Sequence, residues 1–206
     1  MKKGEATRQQ IIQQAAPLFN QRGFAGASMQ DIMEATGLEK GCLYRHFASK
    51  QELAAEAFRY SLAQAVELRT RHLAEIPHSV DKLRHMIQAF ATTPSPVPGG
   101  CPLMNTGVDA DDTNPELKSL AQSGISAWKT RIANIVSEGI ERGEIQAETS
   151  PSRTANLIVA TLEGALLISR LEGTREALYD AQSGLEHILE GIVLPDGLPA
   201  RAAVTS

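Results

Sequence analysis

Apolar residues recur along this chain at the three- and four-residue spacing of α-helices, and the pattern continues almost from end to end. The first such segment predicts a helix over about residues 6–22. Its apolar stripe consists of Ile11, Ala15, Leu18 and Phe19. The alternating pattern of a half-buried strand is not found over any comparable length. The sequence therefore predicts an all-α fold of about nine helices.

Glycines, prolines and capping residues divide this pattern into segments. Gly23 is expected to end the first helix, and Pro17 inside that helix is expected to kink it. Residues 93–100 contain three prolines and two glycines, and they predict the one long loop. The later helices are predicted at about 28–36, 39–47, 49–75, after Pro77, 102–111, 115–142, 151–172 and 175–193. The tail from Pro195 onward is expected to fray.

Residues 28–47 predict two short helices joined by a tight turn. Ser28 and Asp31 form an S-x-x-D capping box at the start of the first helix. Gly37 can take the left-handed conformation that ends it. In the second helix, Leu43 and Phe47 share one face at about 100° per residue. The opposite face then carries hydrogen-bond donors, which is what a helix in the DNA major groove requires.

The candidate DNA contacts follow from this placement. Arg45 is the best candidate for reading a base edge, with guanine O6 and N7 as its target. Lys40 and Lys50 lie near helix starts and are predicted to contact phosphates. Tyr44 is predicted to contact a phosphate or a base, and the alternative is a half-buried ring with its hydroxyl in water. The predicted DNA-binding residues are Ser28, Met29, Gln30, Lys40, Gly41, Cys42, Tyr44, Arg45 and Lys50.

The distribution of charge agrees with a protein that touches DNA at one end. Residues 1–60 carry eight Lys and Arg against six Asp and Glu, whereas residues 61–206 carry twelve against eighteen. The two cysteines, Cys42 and Cys101, imply no disulfide framework, so a reducing cytoplasm is expected. The N-terminus lacks the apolar region of a signal peptide. The longest apolar run, residues 157–168, is judged too short to span a bilayer, so no membrane partner is expected.

The N-terminal segment resembles the DNA-binding domain of the tetracycline-repressor (TetR) family of bacterial regulators. The resemblance covers nearly all of residues 5–65. Its matching positions are Thr7, Arg8, Ile11, Ile12, Ala15, Ala16, Leu18, Phe19, Arg22, Gly23, Phe24, Asp31, Ile32, Gly37, Leu38, Lys40, Gly41, Leu43, Tyr44, His46, Phe47, Ser49, Lys50 and Leu53. Glu39 and Cys42 depart from the residues common in the family, which leaves the operator sequence open.

The resemblance implies a DNA-binding domain at residues 5–65 and a ligand-binding and dimerisation domain at residues 66–195. It also implies that the last two helices pair with their copies in a second subunit. A homodimer fits two recognition helices that read a palindrome. The alternative is that these two helices only form the core of the body. The predicted interface residues are Leu157, Thr161, Gly164, Ile168, Leu178, Leu185, Ile188 and Ile192.

The resemblance further implies a pocket for an unknown small-molecule effector in the body, and no cofactor is predicted. The candidate lining residues, which could equally be core, are Met86, Phe90, Cys101, Leu103, Met104 and Trp128. Cys101 precedes a helix that begins at Pro102, where the helix dipole can lower a thiol pKa. A thiol-based repressor that responds to electrophiles or oxidants is therefore an alternative. Cys101 as a small buried side chain is the simpler interpretation.

An enzyme remains a remote alternative. The spacing of His72, His78 and His85 places no two of them one helical turn apart, so no metal site is predicted. Asp109, Asp111 and Asp112 form a carboxylate group that a solvated helix end explains equally well. No nucleophile–base pair accompanies them. The sequence thus predicts a homodimeric, ligand-responsive repressor of transcription.

Overall fold

The computed structural model describes residues 3–194, which include nine α-helices. Their bounds are α1 Lys3–Gly26, α2 Met29–Thr36, α3 Lys40–His46, α4 Lys50–Thr70, α5 Ser79–Thr92, α6 Pro102–Ala110, α7 Pro115–Glu141, α8 Pro151–Glu172 and α9 Glu176–Ile192. The all-α prediction is confirmed for this part of the chain. The predicted fraying from Pro195 onward and the last residue of the predicted second domain lie outside it.

Helix α1 extends past its predicted end, but its backbone breaks at Gly23, the residue that was expected to end it. The backbone stays helical at Pro17, whereas Gly23 has φ 72° and ψ 176°. One further helical turn follows, in which the N–H of Ala27 donates to the carbonyl of Gly23 at 3.2 Å. Helical torsion angles at a proline do not exclude a bend of the helix axis, so the kink expected at Pro17 stays a prediction. The left-handed φ that only glycine adopts without strain places the break at Gly23.

Helix α4 ends earlier than the sequence pattern indicates. The predicted helix continues to about Glu75, but the structure ends α4 at Thr70 and forms a separate 3₁₀ turn at Leu73–Glu75. His72 has φ 62°, in the left-handed region. Neither proline nor glycine marks this end, which explains why the apolar pattern predicts a longer helix.

The described chain divides into two compact units, of residues 3–68 with 95–125 and residues 69–94 with 126–194. Helices α4 and α7 contribute to both. The predicted domains at residues 5–65 and 66–195 were divided by function, and compactness does not test that division. It stays a prediction.

In the first unit, α1–α4 bury an apolar core that fixes the short helices. Its fully enclosed members come from all four helices, and Met29, Met33 and Leu38 pack on its edge. The buried set is Ile11, Ile12, Ala15, Ile32, Leu43, Phe47 and Leu53. Truncating one such Leu or Ile to Ala typically costs about 2–5 kcal/mol. Burial therefore holds α2 and α3, which are too short to be stable alone.

In the second unit, α5 packs against both α8 and α9. Leu83, Leu162 and Leu189 are each at most 1 % exposed, so every one of these helices contributes to the core. A polar contact across the unit joins Arg84 Nε of α5 to Glu186 Oε1 of α9 at 2.6 Å.

Helix α8 is long and apolar enough to cross a membrane by length and composition alone. The helix has 22 residues, and the mean hydropathy of its most apolar 18-residue window is 1.3. The sequence-based judgement concerned residues 157–168 alone, and the helix continues on both sides of them. Core helices pass the same test, and seven α8 residues are buried in the second unit.

Candidate nucleic-acid interface

The N-terminus of α2 is closed by the predicted capping box. Ser28 Oγ accepts the Asp31 N–H at 3.1 Å, and the Ser28 N–H donates to Asp31 Oδ2 at 2.8 Å. Arg22 pairs with the other carboxylate oxygen at 2.7 Å. Hydrogen bonds from the Ser28 hydroxyl and then from its N–H, with Arg22 adding to them, lower the pKa of Asp31 to about 2. The carboxylate is thus charged at neutral pH and already satisfied.

The turn between α2 and α3 has the predicted form. Gly37 has φ 66° and ψ 19°, and its N–H donates to the carbonyl of Met33 at 2.9 Å. A left-handed residue at this position lets the chain reverse within three residues. The turn sets the angle at which α3 leaves α2.

Helix α3 separates a buried face from an exposed face. Leu43 and Phe47 are 0 % and 1 % exposed, whereas Gly41, Tyr44 and Arg45 lie on the exposed side. Tyr44 is 44 % exposed. Cys42 and His46 are half-buried. The predicted outward face is therefore present, with a guanidinium and a phenol directed away from the core.

Two lysines at helix starts lie near aromatic rings. Lys50 Nζ lies 4.4 Å from the centroid of the Phe24 ring, and Lys40 Nζ lies 5.9 Å from that of Tyr44. The shorter distance is that of a cation–π contact, which restricts the lysine without neutralising it. Lys50 is half-buried and Lys40 exposed.

The side chains of the predicted DNA contacts at the start of α2 already have partners within the protein, whereas Tyr44 and Arg45 lie on the exposed face of α3. The Met29 side chain packs on the apolar core, so only its backbone N–H is left for a phosphate. Gln30 Nε2 donates to Glu34 Oε1 at 3.0 Å, and the Ser28 hydroxyl belongs to the cap. The assignment of all nine residues to DNA contact stays a prediction.

Sequence reasoning missed residues that hold this surface in place. The pattern gave no role to Phe24 beneath Lys50 or to Arg22 beside Asp31. It also treated Asp109 as a solvated carboxylate, whereas Asp109 Oδ2 accepts the Phe24 N–H at 2.7 Å. The only local signal was a glycine before an aromatic residue. The partner lies 85 residues away in sequence, beyond the reach of a pattern.

A recess of about 380 Å³, with open solvent at its mouth included, lies within the first unit. Helices α1, α4, α6 and α7 form its walls. Its lining residues are Ala16, Phe19, Asn20, Gly23, Phe24, Ala54, Ala57, Phe58, Ser61, Pro102, Asn105, Thr106, Asp109 and Leu117. None of the six residues predicted for an effector pocket is among them.

The six predicted pocket residues are divided between the units. Met86, Phe90 and Trp128 belong to the second, where the two aromatic rings stack. Cys101, Leu103 and Met104 belong to the first. The effector pocket stays a prediction.

Cys101 occupies the predicted N-cap position of α6, with Pro102 in the first turn. Its side chain is 0 % exposed, and its carbonyl accepts the Asn105 N–H at 3.1 Å. The preceding loop does not give reagents access to the thiol, as a thiol-based switch would need. The simpler interpretation of a small buried side chain therefore fits the structure, and the thiol-based alternative is less well supported.

The last two helices offer an apolar surface, although two of its predicted members are absent from it. Leu178 and Leu185 are each 1 % exposed and pack in the core of their own unit, so their assignment to an interface is wrong. Thr161, Ile188 and Ile192 are half-buried, and Gly164 is exposed. The large exposed apolar residues of α8 are Leu157, Leu167, Ile168 and Leu171.

Within residues 3–194 no group of three or more His, Cys, Asp or Glu residues is arranged to hold a metal ion. Among the three histidines weighed for such a site, His72 contacts Glu75 at 2.9 Å and the His78 ring accepts the Val80 N–H at 3.2 Å. These contacts serve helix ends.

Comparison with known proteins supports the interpretation of this surface. The family described as "Bacterial regulatory proteins, tetR family" matches residues 11–57. The family described as "Tetracyclin repressor-like, C-terminal domain" matches residues 79–185, which are 107 of the 206 residues. A curated relative, the HTH-type transcriptional repressor DhaR of Mycobacterium sp. (strain GP1), is 26 % identical over 83 % of this chain and 86 % of its own.

Solved structures agree over nearly the whole chain. A TetR transcriptional regulator from Chloroflexus aurantiacus J-10-fl is 42 % identical, with a TM-score of 0.90 over 95 % of this chain and all of its own. A TetR-family regulator from Cytophaga hutchinsonii is 33 % identical, with a TM-score of 0.89 over 95 % of this chain and 99 % of its own. The chain therefore belongs to the TetR family of bacterial transcriptional regulators.

Proposed function

We propose that the protein is a homodimeric repressor that binds a palindromic operator in the cytoplasm and is released by a small-molecule effector. The observation that carries this proposal is the divided surface of α3. Arg45 and Tyr44 face outward while Leu43 and Phe47 are fixed in the core. A rigid helix with outward donors can enter a major groove without rearranging.

Dimerisation supplies the second half of the operator contact. The exposed apolar residues of α8 follow one another at helical spacing, and a Cβ built on Gly164 in their midst meets nothing within 4 Å. A helix from a second copy could approach closely at such a position. Two recognition helices related by a two-fold axis then match a palindrome.

The effector acts by binding the form of the dimer that does not fit DNA. A ligand with equal affinity for both forms shifts nothing, so its binding must be selective. Phe90 and Trp128 in the second unit are the first residues to test for contact with it. The alternative trigger, modification of Cys101, is less well supported because the thiol is enclosed.

Binding of DNA is tested with a labelled fragment from the promoter region of the protein's own gene. We expect specific binding whose affinity falls linearly with log salt concentration, with a matched scrambled fragment as control. Equal affinity for both fragments at every salt concentration would overturn the proposal. This result would return attention to an enzyme or another binding activity.

The effector is sought by thermal shift over a ligand library. At a concentration of 100 Kd a ligand that binds only the native state contributes about 2.7 kcal/mol to stability. Compounds that raise the Tm are then added to the protein–operator complex. Effectors lower the operator affinity, whereas bystander ligands raise only the Tm.

A further inference from the structure

The break in α1 is held by a side chain from a distant helix. At Gly23 the backbone leaves the helical conformation, and the N–H of the next residue, Phe24, donates to Asp109 Oδ2 at 2.7 Å. A Cβ on Gly23 would lie 2.5 Å from the other carboxylate oxygen of Asp109, so α1 and α6 are in close contact at this point. Asp109 thus caps the last turn of α1 as an N-cap residue would, but from α6.

The residue that Asp109 holds carries the ring beneath Lys50. Phe24 stacks on Phe19 with their centroids 6.5 Å apart and an interplanar angle of 13°. Its ring centroid lies 4.4 Å from Lys50 Nζ. A continuous series of contacts therefore leads from the Asp109 carboxylate through the Phe24 backbone and ring to the Lys50 ammonium, and all of it lies within one compact unit.

A second contact fixes the position of α6 along α1. Asn105, one helical turn before Asp109, donates from Nδ2 to the carbonyl of Asn20 at 2.9 Å and to that of Gly99 at 2.7 Å. Residues four apart lie on the same face of a helix. Asn105 and Asp109 therefore hold α1 at two points, and α6 cannot slide along α1 without breaking one of them.

We propose that Asp109 is a positioning residue for DNA binding, which sets the place of the Lys50 ammonium through Phe24. The inference rests on the proposed function, because it takes Lys50 as a phosphate contact. A carboxylate–amide hydrogen bond is stronger than a neutral one and is directional. Without it the Phe24 N–H loses this charged acceptor, the last turn of α1 relaxes, and the ring no longer holds the lysine.

The test measures the slope of log binding constant against log salt concentration for the full-length protein and its operator. Each phosphate contact contributes about 0.9 to the magnitude of the slope. Lys50→Ala and Asp109→Ala are each expected to reduce that magnitude by about one per half-site. The double variant is expected to lose no more than either single one, because both changes remove the same contact.

Three further variants make the result specific. Asp109→Asn keeps an oxygen that accepts the Phe24 N–H, so it is expected to retain the wild-type slope. Asp112→Ala removes the same charge from an exposed position in the same segment and is expected to leave the slope unchanged. Phe24→Leu keeps an apolar side chain without a ring and is expected to match Lys50→Ala. Circular dichroism and the Tm establish that each variant is folded.

The possible outcomes distinguish failure of the positioning role of Asp109 from failure of the proposed DNA-binding function. A wild-type slope in Asp109→Ala, an additive loss in the double variant, or equal losses in Asp109→Asn and Asp109→Ala would each overturn the positioning role. If Asp109→Ala fails to fold, a wild-type slope in Phe24→Leu still overturns the positioning role, because the Phe24 ring is the link between Asp109 and Lys50. An unchanged slope in Lys50→Ala would overturn the phosphate assignment of Lys50 and this inference with it. Absence of specific binding by the wild type would overturn the proposed function itself.

Discussion

The rings of Phe90 and Trp128 stack in the second unit, with their centroids 5.5 Å apart and an interplanar angle of 18°. The guanidinium of Arg69 lies 4.2 Å from the centroid of the Phe90 ring. Trp128 is the only tryptophan in the chain, so its fluorescence reports on this cluster alone. Phe90 is 3 % exposed and already has partners, which makes it a core residue as well as a candidate for ligand contact.

Phe90→Ala is expected to destabilise the protein by about 3–5 kcal/mol, because it removes a buried ring and leaves a cavity. The emission of Trp128 is expected to shift to longer wavelength as the stacked ring is lost. Urea unfolding followed by fluorescence measures both. Tyr179→Ala, at an aromatic residue that is 50 % exposed, is the control and should change stability by less than about 0.5 kcal/mol. Equal losses in the two variants would contradict the assignment of Phe90 to the core.

Several features of the DNA-binding domain could be predicted because they depend only on residues close together in sequence. The capping box at Ser28, the left-handed Gly37 and the shared face of Leu43 and Phe47 each depend on residues within four positions. Their sequence signals are short-range, and the structure has all of them. The outward direction of Arg45 follows from the same spacing.

The features that were missed depend on contacts distant in sequence. The end of α4 at Thr70 and the hydrogen bond between Asp109 and Phe24 have no local signature. Leu185 shows a related difficulty, because an apolar stripe on a helix looks the same whether it faces its own core or a second subunit. Only packing in three dimensions separates these cases.

Asp31 predicts a pH dependence with a defined direction. Its pKa is lowered to about 2, so its stabilising effect is complete above the unfolded value of about 3.9 and is lost as the pH falls through 2. The difference in Tm between wild type and Asp31→Asn should therefore shrink as the pH falls from about 5 to about 2, the range that contains the folded and unfolded pKa values of Asp31. A constant difference over that range would contradict the assignment.

The sources of the Asp31 shift can be ranked by mutation. The hydrogen bond from the Ser28 hydroxyl is its largest cause, and the contacts from Arg22 are smaller. Ser28→Ala is therefore expected to raise the pKa of Asp31 more than Arg22→Gln does. Carboxyl titration followed by NMR would show the order, and the reverse order would mean that the ion pair dominates.

Arg45→Ala is expected to cost about 1–3 kcal/mol of operator binding and to relax the preference at one base position in each half-site. The reason is its exposed place on α3, opposite the buried Leu43. Binding to a library of operators with single base-pair changes measures the effect. Lys50→Ala is the matched control, because loss of a phosphate contact weakens binding to all sequences alike. Full sequence preference in Arg45→Ala would mean that another residue reads the base.

Gly23→Ala is expected to destabilise the first unit by about 1–3 kcal/mol, because its backbone, with φ 72° and ψ 176°, lies in a region that is almost exclusive to glycine. The added methyl group would also lie 2.5 Å from the Asp109 carboxylate. Gly26→Ala is the control, since its Cβ would meet only Arg22 Cβ at 3.4 Å and its φ is not left-handed. Thermal unfolding compares the two. Equal Tm values would show that the break at Gly23 is not needed.

The dimer is best tested at residues that are exposed on a single chain. Leu167 and Leu171 of α8 are 47 % and 80 % exposed, so a double Leu167→Asp and Leu171→Asp change leaves the core of the chain intact. In the dimer the same aspartates would lose their water without gaining a partner, and we expect monomers.

Sedimentation equilibrium measures the subunit state, and the Tm of the monomeric variant shows that it is folded. Val108→Asp, at a position on α6 that is 78 % exposed, is the matched control and should remain dimeric. Operator affinity is expected to fall with dissociation, because two separate half-sites lose the effective concentration that a linked pair provides. Dimers of unchanged stability in the α8 variant would place the subunit contact elsewhere. Leu185→Asp cannot settle the matter, because a charge at a residue 1 % exposed would unfold the chain whether or not it dimerises.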